Sequence, residues 1–254
     1  MEKYMTGIGT IVNIIAVLAG SIIGMVFKRG ISDKLSESLM KALGLATVFI
    51  GITGVLSDTV TVVDGKLSVS GVLLMIVSLA AGTLFGEVLR LEEKLESLGS
   101  SLKRLKLFKT VDEKFTEGFV TAFLVFCVGA MSIVGPIKDA LYGDASILFT
   151  KSVLDFTSSM IFASALGVGV LCAVIPLAIY QGALTLFAGI VEPYLYTLGD
   201  GRLVANLSAV GSVLIFGVGI NLIFGKRLRV GNMLPALLVP VIYAVGQSIM
   251  TLLK

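Results

Sequence analysis

The chain has 254 residues, of which 56% are hydrophobic and 15% are charged, and its mean hydropathy is +1.00. A soluble domain of this length would be about half apolar and a quarter charged, so the composition excludes a soluble protein. The net charge of +3 is small, and the lack of histidine excludes His-based acid–base catalysis, Ser-His-Asp triads and His-ligated metals or haem.

Apolar runs recur along the whole chain, each about 20 residues long, which is the length that crosses a bilayer core of roughly 30 Å. They predict an all-α, polytopic membrane protein with about eight transmembrane helices, forming one integral membrane domain over residues 1–254. We place the spans at 7–27, 39–57, 69–87, 117–135, 156–174, 176–195, 204–224 and 232–252. Seven spans stay an alternative, because the 158–195 stretch could form one kinked helix.

Lysine and arginine concentrate in the connections after the first, third and seventh spans. An eight-span arrangement places these three connections on one side of the membrane, and the opposite connections are poor in both residues. By the positive-inside rule the basic side is cytoplasmic, so both termini are predicted to be extracytoplasmic.

Paired glycines mark places where helices can approach closely. Gly20 and Gly24, and Gly82 and Gly86, form GxxxG motifs in the first and third spans, and from them we expect a homo-oligomer. Further positions are predicted to serve packing or as hinges; they are Gly129, Gly135, Pro136, Gly217 and Gly219. The segment at about 130–150 is predicted either as an external loop or as a re-entrant hinge.

The connection at 87–116 differs from the others, because leucines recur at helical spacing among mixed charges between 87 and 109. This pattern predicts an amphipathic helix on the cytoplasmic surface. A helix that caps the bundle or pairs with a second copy fits better than nucleic-acid binding, so no nucleic-acid partner is expected.

Two short segments hint at an internal repeat: GKLSVSG at 65–71 and GKRLRVG at 225–231. They would match spans one to three with spans six to eight in opposite orientation, the inverted repeat common in secondary transporters. Chance similarity among glycine-rich spans is the competing explanation.

Three segments carry a family resemblance: FCVGAMSIVGPIKDALYGD at 126–144, TKSVLDFTSSMIFASALGVGV at 150–170 and VGSVLIFGVGINLIFGKRLRVGNMLPALL at 210–238. They resemble the bacterial membrane family typified by the YdfK and YqgA proteins, which is known only as a family of unknown function. Ala130 and Pro136 depart from its pattern. The resemblance implies a multi-pass protein of the bacterial plasma membrane and implies no activity.

Lys151 and Asp155 are the most prominent candidates for a functional site, since their spacing puts them on one helix face within an apolar stretch. Hydroxyls follow at Thr157, Ser158 and Ser159, and carboxylate and hydroxyl oxygens suit a hard cation or a polar substrate group. Uncharged polar residues predicted to line the same cavity are Ser132, Gln181 and Asn221. The alternative is an ion pair that only fixes the helix at the membrane interface.

These features favour a secondary transporter for a small polar or ionic solute, with a coupling cation of unknown identity and no other cofactor. A membrane scaffold or assembly protein is the alternative. A channel, or an enzyme without histidine, fits less well, so no catalytic residues are assigned. The lipid bilayer and an unidentified small solute are the expected partners.

Overall fold

The computed structural model of the protein describes residues 7–28, 32–103, 114–198 and 202–252. Helices form nearly all of these ranges, which confirms the predicted all-α class. The helices are α1 (Ile8–Lys28), α2 (Asp33–Thr59), α3 (Val72–Leu89), α4 (Leu91–Lys103), α5 (Phe115–Cys127), α6 (Ala130–Tyr142), α7 (Ser146–Leu166), α8 (Val168–Cys172), α9 (Val174–Leu186), α10 (Ala188–Thr197), α11 (Leu203–Phe224), α12 (Val230–Met233) and α13 (Leu238–Leu252). A 3₁₀ turn at Leu234–Leu237 joins the last two helices.

A short β-hairpin joins α2 to α3. Its strands, β1 (Val60–Val63) and β2 (Lys66–Val69), pair antiparallel, with Val60 opposite Val69 and Val63 opposite Lys66. Asp64 and Gly65 form the turn, both with positive φ, as a tight hairpin turn requires.

Six helical segments of the described chain are long and apolar enough to cross a membrane. They are Ile8–Phe27, Glu37–Thr59, Val72–Leu89, Val168–Leu186, Leu203–Phe224 and Val230–Met250. The pair α5 and α6, bent by 54°, would add a seventh. The helix α7 has 21 residues but is not among these segments. The polytopic architecture is therefore confirmed, and the count of eight spans stays a prediction.

The predicted bounds of the fifth and sixth spans are wrong. The helix predicted to begin at 156 begins at Ser146, because Lys151 and Asp155 pair with each other inside α7 and need no aqueous loop. Gly167 then ends α7 with φ of +78°, and the next apolar segment begins at Val168. α7 runs parallel to α1, whereas α9 runs antiparallel to it, so 158–195 is not one kinked helix.

The polar segment after residue 130 is a helix rather than a loop. Gly129, with φ of +141°, breaks the backbone between α5 and α6, and Gly143, with φ of +66°, ends α6. Gly129 is thus at a break, as predicted, while Pro136 lies inside α6. The prediction of an external loop is wrong for 130–142, because Asp139 is buried against another helix.

The helices form two bundles. The first bundle contains α1 and α5–α10, and its most extensive contact joins α1 to α7. The second bundle contains α2–α4 and α11–α13, and its most extensive contact joins α2 to α11. Fewer contacts cross between them, chiefly from α4 to α5, from α2 to α7, and from α11 to α5 and α6. An apolar core that includes Phe126, Phe162 and Leu214 extends through both bundles.

The GxxxG glycines pack within the chain. A Cβ atom at Gly20 would overlap Ser159 and one at Gly24 would overlap the Met160 carbonyl, so these two glycines let α1 lie directly on α7. Gly82 and Gly86 bring α3 equally close to Ala236 and Asn232. The glycines therefore do not support the predicted homo-oligomer, which stays a prediction.

Candidate functional site

A buried ion pair lies in the middle of α7. The Lys151 Nζ atom is 2.6 Å from Asp155 Oδ2, and each residue is only 5% exposed. Asp155 lies about 14 Å along the helix from Ser146, roughly half the thickness of a bilayer core. The predicted pairing is therefore correct.

Two uncharged side chains from other helices complete this group. Asn13 of α1 donates from Nδ2 to Asp155 Oδ2 and to Gln181 Oε1 of α9, both at 3.1 Å. Asn13 and Gln181 are both fully buried. We call Lys151, Asp155, Asn13 and Gln181 the central cluster.

Asn13 was not among the predicted site residues. In the sequence Asn13 is a single amide within an apolar span, and such residues most often only hydrogen-bond a neighbouring helix. Its neighbours come from α7 and α9, more than 140 residues later in the chain, so the sequence alone did not connect them.

The hydroxyls predicted to join the ion pair divide between two faces of α7. Ser159, one turn beyond Asp155, is buried and donates to the Phe156 carbonyl at 2.9 Å. Ser158 is half-buried. Thr157 is exposed and donates to the Val153 carbonyl at 2.8 Å, so it lies outside the central cluster. Its position two residues after Asp155 turns it about 200° around the helix.

The two remaining polar predictions also lie elsewhere. Ser132 donates to the Phe126 carbonyl at 2.8 Å across the break between α5 and α6. Asn221 lies at the far end of α11, where its Oδ1 accepts hydrogen bonds from the backbone N–H groups of Arg227 and Leu228. It stabilises that turn, and the prediction that it shares a cavity with Gln181 is wrong.

The other predicted glycines lie at helix contacts. A Cβ atom at Gly135 would come within 2.8 Å of Leu148, and one at Gly219 within 2.7 Å of the Val48 backbone nitrogen. Gly217 faces Val230 at 3.2 Å.

Hydrogen bonds join the helices of the first bundle at the end where α1 begins. Asp139 Oδ2, on α6, accepts from the Gly9 backbone N–H at 2.9 Å, and Asp139 is fully buried. The hydroxyls of Thr10 and Thr185 are 2.9 Å apart. A carboxylate at a helix N-terminus satisfies unpaired N–H groups and opposes the helix dipole. We call these two contacts the outer contacts, since this end is extracytoplasmic in the predicted topology.

At the opposite end a cavity of about 590 Å³ lies between the two bundles. α5 lines it on one side, and α4, α11 and the segment 225–231 line it on the other. Three carboxylates, Glu92, Glu96 and Glu117, line it together with Lys226, and it reaches inward to Leu124 and Val218. Sequence reasoning did not find this cavity, because it depends on how the bundles meet.

The predicted amphipathic helix corresponds to α4, which begins at Leu91 rather than near 87; residues 104–113 of the connection lie outside the described residues. Its Glu92 is 9% exposed, accepts at Oε2 from the Gly231 N–H, and donates its own N–H to Asn232 Oδ1, both at 2.7 Å. Lys226 pairs with Glu92 at 3.0 Å and also with Glu96. α4 is thus fixed to the second bundle.

This network predicts a pH dependence of stability. Burial lowers the pKa of Lys226, but its hydrogen bonds to Glu96 and Glu92 outweigh burial and raise that pKa above the ordinary 10.5. Because folding raises the pKa of Lys226, the charged ammonium contributes its full stabilisation at pH values below the ordinary pKa. This contribution disappears as the pH rises through the folded-state pKa. We expect Lys226→Met to lower the thermal midpoint at neutral pH, and the difference from the wild type to shrink as the pH rises through the folded-state pKa of Lys226, which lies above 10.5. Circular dichroism melts check this, and a difference that persists unchanged at high pH would contradict it.

Among the described residues, no group of three or more Asp, Glu or Cys side chains could hold a metal ion. The central cluster combines one cation, one carboxylate and two amides, which are joined to one another by hydrogen bonds.

The model of the family described as "Protein of unknown function (DUF554)" matches residues 8–245. The chain is 37% identical over 243 residues to the "Uncharacterized membrane protein YdfK" of Bacillus subtilis (strain 168), covering 94% of this chain and 98% of the relative. It is 32% identical over 234 residues to the "Uncharacterized protein YqgA" of Escherichia coli (strain K12), covering 91% of this chain and 93% of the relative. No solved structure matches the chain significantly.

Proposed function

The chain belongs to the DUF554 family of unknown function, and we propose that it is a secondary transporter for a small polar or ionic solute. The alternative is a membrane scaffold without transport activity.

The observation that carries this proposal is the cavity between the two bundles. It opens at one end of the molecule and extends inward to Leu124 of α5, one turn before the break at Gly129. α5 also packs on α7 through the ring contact of Phe126 with Phe162. The cavity therefore ends on a helix that packs directly against the one carrying the ion pair. A scaffold has no need of a crevice that leads toward a buried charge pair.

The depth of the central cluster supports the same proposal. Ionisable side chains inside a membrane are costly and mark solute or ion pathways more often than they serve packing. The cost is lowered here because Lys151 and Asp155 neutralise each other and Asn13 donates to the carboxylate.

The predicted inverted repeat is part of the proposal, and the spacing of the chain supports it. The similar segments begin at 65 and 225, a displacement of 160 residues. Adding 160 to the residue numbers of α1, α2 and α3 gives the ranges 168–188, 193–219 and 232–249. The first of these ranges coincides with Val168–Leu186, the second overlaps most of α11, and the third lies within Val230–Met250.

Contacts between these helices also fit a two-fold relation. Thr10 meets Thr185 while Asn13 meets Gln181, so α1 and α9 are antiparallel. α2 and α11 are antiparallel as well, because Gly44 lies at Gly219 and Gly51 lies at Ser212. α3 runs antiparallel to 232–236, with Gly82 at Ala236 and Gly86 at Asn232. Each predicted partner pair is therefore in antiparallel contact, as an axis in the membrane plane requires.

A cavity separates the two bundles at one end, and hydrogen bonds join the helices of the first bundle at the other. Alternating access would require the outer contacts, Thr10 with Thr185 and Asp139 with Gly9, to separate while the cavity between the bundles closes.

Cysteine accessibility tests the transporter without knowledge of its solute. In a Cys127→Ala/Cys172→Ala background, we expect Thr121→Cys, at a half-buried position that lines the cavity, to react with an impermeant maleimide from the cytoplasmic side. Thr10→Cys, which replaces a side chain only 5% exposed, should react from the opposite side through a minor open state. A minor state populated at about 0.1–10% makes that reaction roughly 10- to 1,000-fold slower than at a freely exposed site.

The matched control is Thr10→Cys in protein denatured with detergent, which gives the rate of the unprotected thiol. A native Thr10→Cys that stays unreactive from both sides, while the denatured protein reacts, would contradict alternating access and favour the scaffold.

A further inference from the structure

We propose that the solute bound at the central cluster is a small zwitterion, with an ammonium and a carboxylate group a few atoms apart. This inference rests on the proposed transport function and adds the chemical class of the solute. Three observations carry it: the charge balance of the cluster, the orientation of its two amides, and the two amide atoms that lack partners.

The cluster is neutral as a whole and is almost completely removed from solvent. Lys151 and Asp155 contribute one charge of each sign, and Asn13 and Gln181 contribute none. A single ion added to such a site would be an uncompensated charge in a medium of low dielectric constant, which is unfavourable. A cation approaching Asp155 would also meet the Lys151 ammonium, which is 2.6 Å from the carboxylate oxygen. A zwitterion adds no net charge.

The charge of Asp155 fixes the orientation of both amides. An ionised carboxylate only accepts hydrogen bonds, so Asn13 must present its Nδ2 group to Asp155 Oδ2. The same Nδ2 group points to Gln181, which must therefore present its Oε1 atom. The reverse orientation of either amide would place two acceptors or two donors against each other.

This orientation leaves one acceptor and one donor unused. Asn13 Oδ1 and Gln181 Nε2 are buried and have no hydrogen-bond partner among the described residues. Buried polar atoms are almost always paired in folded proteins, so two orphans in neighbouring side chains indicate a missing partner. That partner must donate to Asn13 and accept from Gln181.

A zwitterion supplies both groups. Its ammonium would bind Asp155 and donate to Asn13 Oδ1, and its carboxylate would bind Lys151 and accept from Gln181 Nε2. Lys151 has three N–H donors and uses one of them on Asp155, so it can bind a second carboxylate. The solute must be small, because α1 and α7 lie in direct contact at Gly20, beyond the cluster.

Thermal unfolding of the purified protein, followed with a thiol-reactive dye, tests the solute class. Cys127 and Cys172 are both buried and react on unfolding. The probes are glycine as the zwitterion, methylammonium and acetate as its two halves, and sodium chloride, each titrated at pH 7. We expect glycine to raise the thermal midpoint saturably, by about 3 °C at ten times its Kd, and the other three probes to give less than a third of that.

Two variants show whether glycine acts at the cluster. Gln181→Leu should weaken the glycine effect, and Lys151→Met/Asp155→Leu, which replaces the ion pair by apolar side chains of similar size, should abolish it. Thr157→Val, on the exposed face of α7, is the matched control and should respond like the wild type.

The zwitterion is excluded if glycine gives no shift, if methylammonium, acetate or sodium matches it, or if the double variant responds fully. A water molecule bridging the two amides would give the first of these results. None of these results bears on the proposed transport function, which is tested by labelling Thr121→Cys from one side and Thr10→Cys from the other and fails separately if only one of them is labelled.

Discussion

Removal of one member of the buried ion pair is expected to destabilise the protein by about 3–5 kcal/mol, and removal of both members by far less. Lys151→Met leaves the Asp155 carboxylate uncompensated among buried side chains, and Asp155→Leu does the same to the Lys151 ammonium. In the double variant no charge remains to be desolvated, and the new apolar side chains match the size of the old ones. The loss of stability should then be within about 1 kcal/mol of zero.

Unfolding of the two single variants and the double variant, measured with the thiol-reactive dye, gives the coupling energy of the pair. Asn13 should contribute to the same coupling, because it donates to the carboxylate. Single variants that unfold like the wild type would show that water reaches the pair and that the cluster is not buried. Additive losses in the double variant would show that the two groups do not interact.

Substitution of Gly24 by alanine is expected to have the second largest effect. The added Cβ would overlap the Met160 carbonyl and lie 3.1 Å from Ala163, and α1 cannot move away without losing its contact with α7 along its whole length. Overpacking of this kind typically costs about 1–3 kcal/mol, and contact with backbone rather than with a flexible side chain places it at the upper end.

Gly182→Ala on α9 is the matched control. No atom lies within 4 Å of the position that its Cβ would take, so only helix propensity changes, and alanine is favoured by about 1 kcal/mol. Dye-monitored unfolding should therefore place the two alanine variants on opposite sides of the wild type. A Gly24→Ala variant as stable as Gly182→Ala would mean that α1 and α7 are not packed as described.

Elements that depend only on neighbouring residues in the chain could be predicted from the sequence. The first and third spans were placed within a few residues of α1 and α3, because long apolar runs need no tertiary information. The ion pair was also predicted correctly, since Lys151 and Asp155 are four residues apart on one helix. The predicted span began at 156 and left the ion pair outside it, whereas α7 begins at Ser146 and contains the pair.

Features that depend on distant contacts were missed. The segment after Gly129 contains Pro136, Lys138 and Asp139 and has the composition of a loop, yet it is helical because Asp139 is buried against the first turn of α1. Asn13 and Gln181 could be recognised as polar residues in apolar spans, but their joint contact with Asp155 could not. The GxxxG motifs likewise indicated close helix contact without showing whether the partner helix belonged to the same chain.

The pairing of early helices with late ones has a consequence for biogenesis. α2 ends at Thr59 and its main partner, α11, begins at Leu203, so 143 residues lie between them. At a synthesis rate of about 5–20 residues per second, α2 spends roughly 7–29 s in the membrane before α11 is made. During that time the glycine faces of α2 and α3 lack their partners in α11 and at 232–236. The second bundle can close only after α11–α13, which form about the last fifth of the chain, have left the ribosome.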